Sequence, residues 1–206
     1  MKQWVDKLTS LYPQREARAI VRVVLEEVFG MTYTQMCAYG TASLTLKQRE
    51  TLEIIINRLQ KGEPVQYVTG RAPFGALTFE VTPATLIPRP ETLELVRLAS
   101  EECHGTRVLD IGTGSGCIAV SLAAQHPDWQ VYGCDISAEA LDVARHNAQR
   151  ASVDVHFFAA DVLSIDSAEL MAKVGGELHC VVSNPPYVCR SEARDMEPWV
   201  LEHEPH

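Results

Sequence analysis

Apolar residues recur every three or four positions through the first sixty residues and then switch to alternation and short blocks, so the architecture changes along the chain. Within 13–30, Ala17, Ile20, Val21, Val24, Leu25 and Val28 make one stripe, which predicts an amphipathic helix stopped by Gly30. A second stripe of Leu52, Ile55, Ile56 and Leu59 predicts a helix over 46–60. Thr45 and Gln48 have capping-box spacing at its start, and Gly62 lies beyond its end. Shorter helical stretches at 4–11 and 34–39 complete a small helical bundle over residues 1–62.

After Gly62 the pattern shortens. Residues 65–68 read as extended, and Leu77, Phe79 and Val81 alternate with Thr78 and Glu80 as one face of a strand, which predicts a β-hairpin. The hairpin leads into Leu-Ile-Pro-Arg-Pro-Glu-Thr at 86–92, where two prolines hold an extended loop and Pro90 suits the first turn of the next helix. From Arg107 onward, strand-like runs at 108–111, 130–135, 153–158 and 178–183 alternate with helical runs at 116–125 and 138–151. Such alternation predicts an α/β fold with a parallel sheet between helices, whose ligands collect beyond the carboxyl ends of the strands. The division expected is a helical domain at 1–62, an extended and hairpin linker at 63–90, and a ligand-binding α/β domain at 91–206.

Composition narrows the function. Hydrophobic residues at 46% and charged residues at 22% are ordinary for a soluble globular chain and exclude a disordered one. No stretch approaches the roughly 20 apolar residues of a membrane span, and the N-terminus has no secretory pattern. The net charge of −9 is uneven: residues 1–75 hold ten Lys/Arg and seven Asp/Glu, and the rest hold eight and twenty. An acidic second half matches a nucleic-acid backbone poorly, because neutralisation of phosphates by Lys and Arg supplies most non-specific affinity. Six dispersed cysteines without a Cys-x-x-Cys pair read as reduced core thiols of a cytosolic protein.

Two motifs carry chemistry. The first predicted strand of the sheet ends in Asp110, Ile111, Gly112, Thr113, Gly114, Ser115 and Gly116 and opens a helix, so the absent side chains permit a tight turn and close approach by a nucleotide-like ligand. The spacing is Gly-x-Gly-x-Gly, with Cys117 at the later glycine position of a dinucleotide fingerprint, which disfavours a nicotinamide cofactor. Asp135 ends the second strand, where a carboxylate can accept hydrogen bonds from both ribose hydroxyls. The second motif, Asn184, Pro185, Pro186 and Tyr187, follows the fourth strand. The Asn184 side-chain oxygen and the Pro185 carbonyl can each accept one hydrogen of a conjugated NH2 group, the prolines hold the backbone extended, and the Tyr187 ring offers a stacking surface.

The Asp110–Gly116 pattern resembles the first motif of class I methyltransferases, which implies a Rossmann-like parallel sheet and S-adenosyl-L-methionine as cofactor. Together with Gly-Glu-Pro-Val-Gln-Tyr-Val-Thr-Gly at 62–70, the loop at 86–92 and the Asn184–Tyr187 tetrad, the whole chain resembles the peptide chain release factor N5-glutamine methyltransferase family. By that resemblance Asp161 and Val162 border the adenine, Asp110, Gly112, Thr113, Gly114, Ser115, Gly116, Asp135 and Asn184 complete the cofactor site, and Asn184, Pro185, Pro186 and Tyr187 are catalytic. The implied reaction methylates the glutamine amide of the Gly-Gly-Gln motif in bacterial class 1 release factors in the cytoplasm, without a metal, and the helical domain helps dock the release factor. Leu93 stands where the family usually carries a second acidic residue, and the chain ends at Glu204, Pro205 and His206, ahead of the last strands of a seven-stranded sheet, as a truncated form would. The tetrad also occurs in adenine N6-methyltransferases of nucleic acid, which leaves that reaction, and a non-catalytic binding fragment, as alternatives.

Overall fold

A computed structural model describes residues 1–185. The chain divides into two compact units, Met1–Gly70 and Arg71–His206.

The first unit contains helices α1 (Lys2–Leu8), α2 (Gln14–Glu27), α3 (Tyr33–Tyr39), α4 (Leu46–Leu59) and α5 (Val65–Thr69). Leu8, Val21, Leu25, Leu52, Ile56 and Leu59 are fully buried at its centre, each contributing about 1.5–3 kcal/mol by leaving water. Thr45 accepts from the Gln48 amide and Gln48 reaches back to Thr45, so the predicted capping box starts α4, and Thr32 with Gln35 does the same for α3. Val28, assigned to the α2 stripe, is exposed, because α2 ends at Glu27.

Residues 65–68 correct the expectation of an extended segment: they form α5. Pro64 already has φ −57°, the Thr69 hydroxyl donates back to the Val65 carbonyl at 2.9 Å, and Gly70 in the left-handed region closes the turn. Tyr67 and Val68 are buried, and α5 packs on α2 and α4. Tertiary packing therefore overrides the β preference of the valines, and the first unit runs to Gly70 instead of ending at 62.

The second unit opens with the predicted hairpin, β1 (Arg71–Phe74) and β2 (Leu77–Glu80), paired antiparallel from Arg71 opposite Glu80 to Phe74 opposite Leu77. Then follow α6 (Thr92–Glu102), β3 (Arg107–Ile111), α7 (Cys117–Gln125), β4 (Gln130–Asp135), α8 (Ala138–Ala151), β5 (His156–Ala159), α9 (Ser167–Lys173) and β6 (Cys180–Ser183). Since β2 packs on α8, the hairpin, expected within a linker over 63–90, belongs to this unit. The four later strands form a wholly parallel sheet in the order β5-β4-β3-β6. Val108, Val131 and Val182 pack on one face with Leu122 and Ala148, while Leu109, Tyr132 and Cys134 pack on the other with Val174. Burial on both faces is the ordinary condition of a parallel strand.

Helix α9 was not foreseen. None of its residues is buried, so it leaves no apolar stripe, and its start is set by the Asp166 carboxylate accepting from the Ala168 and Glu169 amides. Of the five cysteines among the described residues, Cys134 is buried, Cys103, Cys117 and Cys180 are half-buried against the core as expected, and Cys37 is exposed. No helix among the described residues is long and apolar enough to cross a membrane.

One glycine in the sheet matters for what lies above it. A Cβ on Gly133 would stand 2.6 Å from the Phe157 ring and 3.0 Å from the Thr113 hydroxyl, so its absence lets β5 and the loop after β3 close over β4. Gly133→Ala is expected to lower stability by about 1–3 kcal/mol in chemical denaturation. A variant within about 0.5 kcal/mol of the wild type would show that Phe157 yields freely.

Candidate active site

Parallel pairing brings the carboxyl ends of all four strands to one edge, with Ile111 opposite Cys134 on one side and Ser183 on the other, and Asp135 opposite Ala159. The sheet order reverses between β3 and β6, the position at which an open α/β sheet forms its ligand crevice. The loop at 112–116 starts there.

Gly112 has φ +70° and a Cβ built on it meets nothing within 4 Å, so the loop opens a cradle that only glycine leaves both unstrained and empty. At Gly116, φ +78°, the same atom would lie 3.1 Å from the Ala144 Cβ, which identifies a second purpose: close seating of α7 on α8. The loop is pinned to β4, because the Gly112 and Thr113 amides donate to the Cys134 carbonyl at 2.9 and 3.0 Å and the Gly114 amide donates to Asp135 Oδ2 at 2.9 Å. Asp135 Oδ1 accepts from the Ser137 amide at 3.0 Å. Each of its oxygens retains a lone pair for a further donor.

Asp110 lies beneath the loop and is fully buried. Its Oδ2 accepts from the Thr113 hydroxyl at 2.6 Å, and its Oδ1 has no hydrogen-bond partner. Burial pushes its pKa up to about 6, the Thr113 hydroxyl and the Ala119 amide pull it part of the way back, and nearby Asp135 adds to the rise. Thr113 and Ser115 are buried as well. In this arrangement the three side chains shape and charge the loop from below, and the face it presents is backbone at Gly112 and Gly114.

Beyond β5, Asp161 is exposed and its Oδ1 accepts from the Leu163 amide at 3.0 Å. The Ala160 amide donates to the Asp135 carbonyl at 3.0 Å, which ties this turn to the end of β4. Ile136, Val162 and Leu163 are exposed apolar side chains on the same edge, and Ile136 escaped the sequence reading.

On the other side, the Ser183 hydroxyl donates to the Ile111 carbonyl at 2.9 Å, so Asn184 begins where the glycine loop begins. Its side chain is half-buried, and Nδ2 donates to Thr92 Oγ1 at 3.1 Å. Pro185 is exposed, and Pro186 and Tyr187 lie outside the described residues. The structure thus places Asp135 and Asp161 to one side of the loop and Asn184 to the other.

Asn147 of α8 was missed. It is buried, its Nδ2 donates to the carbonyls of Glu80 and Ser115 at 2.9 Å each, and its Oδ1 accepts from the Glu80 amide at 2.7 Å. It straps the glycine loop to β2. The available signal was a polar residue inside a helical stripe of Ala140, Leu141, Val143, Ala144 and Ala148.

Two family models match: the PrmC N-terminal domain over residues 1–70 and the methyltransferase small domain over residues 92–199. Release factor glutamine methyltransferase from Bacteroides thetaiotaomicron is 42% identical over 97% of this chain and 70% of its own length. The protein of the same name from Flavobacterium psychrophilum is 35% identical over 99% of this chain and 72% of its own. That from Escherichia coli is 34% identical over 91% and 66%. The chain belongs to the release factor glutamine methyltransferase family. Its second unit is a class I, S-adenosylmethionine-dependent methyltransferase domain. The open cradle at Gly112 and the spare acceptor capacity of Asp135 fit that cofactor.

Two tests follow from the site's construction. Asn147→Ala leaves three backbone groups without their partner, and is expected to cost about 3 kcal/mol and to weaken cofactor binding in calorimetry. Unchanged stability and affinity would show that the loop holds without its strap. Asp110 is protonated more readily when folded, since its pKa rises from 3.8 to about 6. Its contribution is therefore whole below pH 3.8 and is lost as pH climbs through about 6. Relative to Asp110→Asn, the wild type should lose about 3 kcal/mol between pH 4 and 6, at about 1.4 kcal/mol per pH unit, and run parallel above. Parallel curves throughout would contradict the burial account.

Proposed function

We propose that this protein transfers one methyl group from S-adenosylmethionine to the side-chain amide nitrogen of the glutamine in the Gly-Gly-Gln motif of peptide chain release factors. The observation that carries the reading is the position of Asn184: a half-exposed amide at the tip of β6, starting level with the open glycine loop.

Gly112 and Gly114 would offer backbone to the methionine portion of the cofactor, with Asp110 supplying negative potential below a cationic ligand. Asp135 would hold the ribose, and Asp161 and Val162, with Ile136, would border the adenine. When bound, the cofactor supplies an electrophilic methyl group and leaves as a neutral thioether, and the nitrogen that gains the methyl releases one hydrogen as a proton to solvent. The protein's remaining task is to aim a weak nucleophile. An amide nitrogen gives its lone pair to its own carbonyl, so Asn184 Oδ1 and the Pro185 carbonyl would each accept one of its hydrogens and turn the lone pair toward the methyl carbon. Fixing a reactant in this way can remove several kcal/mol from a barrier. Tyr187 would stack on the planar amide. The helical unit would contribute to docking the release factor, and the setting is the cytoplasm, where translation terminates.

The test is transfer of labelled methyl from the cofactor to purified release factor, with a Gly-Gly-Ala variant of the factor as control. Label on the glutamine protein alone supports the reading. Equal label on the control, label on DNA or ribosomal RNA instead, or cofactor binding without turnover would each overturn it. Asn184→Ala is expected to lower kcat by about a hundredfold or more, while cofactor affinity stays within about tenfold, or about 1.4 kcal/mol.

A further inference from the structure

We infer that Thr92 is a positioning residue for methyl transfer: its hydroxyl holds the NH2 end of the Asn184 amide and so leaves Oδ1 turned to the substrate. The inference rests on the amide-acceptor reading of Asn184 given above and assigns the group that sets its orientation.

The two ends of an asparagine amide are alike in shape and opposite in hydrogen bonding. An Asn184 rotated by half a turn about its last bond would meet a substrate NH2 with its own NH2, donor against donor, and the site would reject the group it has to hold. A hydroxyl can bond either end of an amide, so a partner that accepts from Nδ2 and a substrate NH2 that donates to Oδ1 favour the same orientation together. Thr92 Oγ1 accepts from Asn184 Nδ2 at 3.1 Å, across 92 positions of sequence, and Thr92 is itself buried. Asn184 Oδ1 has no hydrogen-bond partner among the described residues.

Thr92 is the first residue of α6, and a helix start ordinarily presents free amides that would compete for Oδ1. Here they are occupied: the Thr92, Leu93 and Glu94 amides donate to the carbonyls of Arg89, Pro90 and Glu91 at 3.0, 3.1 and 3.1 Å. What α6 offers Asn184 is the hydroxyl oxygen. The proline-bracketed loop at 86–92 therefore has an identifiable task, because it delivers Thr92 to the tip of β6, and α6 packs against β6 below it. Leu93 fits the same picture, turning inward so that its Cδ2 would stand 3.1 Å from a Cβ on Gly75, where it seats the start of α6 on the hairpin.

Thr92→Val keeps the shape and removes the acceptor. With release factor as substrate, kcat should fall by tenfold or more, while KM for the factor and the cofactor dissociation constant stay within threefold. Thr92→Ser, which restores the hydroxyl, should recover at least half of the rate. In the Asn184→Ala background, Thr92→Val should cost nothing further, whereas a merely structural residue would cost the same in both backgrounds. Loss of cofactor binding in Thr92→Val would mark a folding defect, and Thr92→Ala then replaces it under the same criteria. A valine or alanine variant with wild-type kcat, no recovery by serine, or additive losses in the double variant would each overturn the positioning role. A wild-type protein that does not label the factor at all would instead overturn the amide reading beneath it.

Discussion

The parallel register of β3 with its two neighbours is the constraint on which the rest of the site depends. Ile111 stands opposite Cys134 and Ser183, so the strand that feeds the glycine loop has the Asp135 carboxylate on one flank and the Asn184 amide on the other. A slip of one residue would turn every side chain of a strand to the opposite face and take Leu109 and Val108 out of their separate cores. The apolar packing on both faces is thus what fixes the site's geometry. Chemistry at the edge inherits its precision from burial in the middle.

The loop itself is costly to hold. Positive backbone angles at Gly112 and Gly116 lose much conformational freedom on folding, and a carboxyl group sealed beneath them resists ionisation. These costs are offset by fixed partners: the Cys134 carbonyl and the Asp135 carboxylate grip the loop from β4, and Asn147 grips it from α8 and β2. The hairpin therefore helps to hold the glycine loop, through the bonds that Asn147 makes to Glu80 and Ser115. A loop already shaped before its ligand arrives spends less of the binding energy on ordering.

Much of this was legible in the sequence because it is local. The Asp110–Gly116 run, Asp135 at a strand end and the tetrad from Asn184 state their own spacing, and the helical stripes of α2 and α4 follow a period that packing then used. What stayed hidden depends on partners distant in sequence or on context. The Thr92–Asn184 and Asn147–Ser115 bonds join residues 92 and 32 positions apart, and no pattern within one element announces them. Residues 65–68 look like a strand by composition, yet Pro64 and Gly70 bracket a helical turn that α2 and α4 bury. Asp110, Thr113 and Ser115 were readable as motif members, but that they lie under the loop instead of on its outer face is a fact of burial.

The most direct test of the account is a co-crystal structure of the protein with the thioether form of the cofactor and a peptide containing Gly-Gly-Gln. The glutamine amide nitrogen is expected at hydrogen-bonding distance, about 3 Å, from both the Asn184 side-chain oxygen and the Pro185 carbonyl, with its open side toward the bound cofactor. A glutamine bound elsewhere, or an Asn184 amide presenting nitrogen to it, would contradict the account.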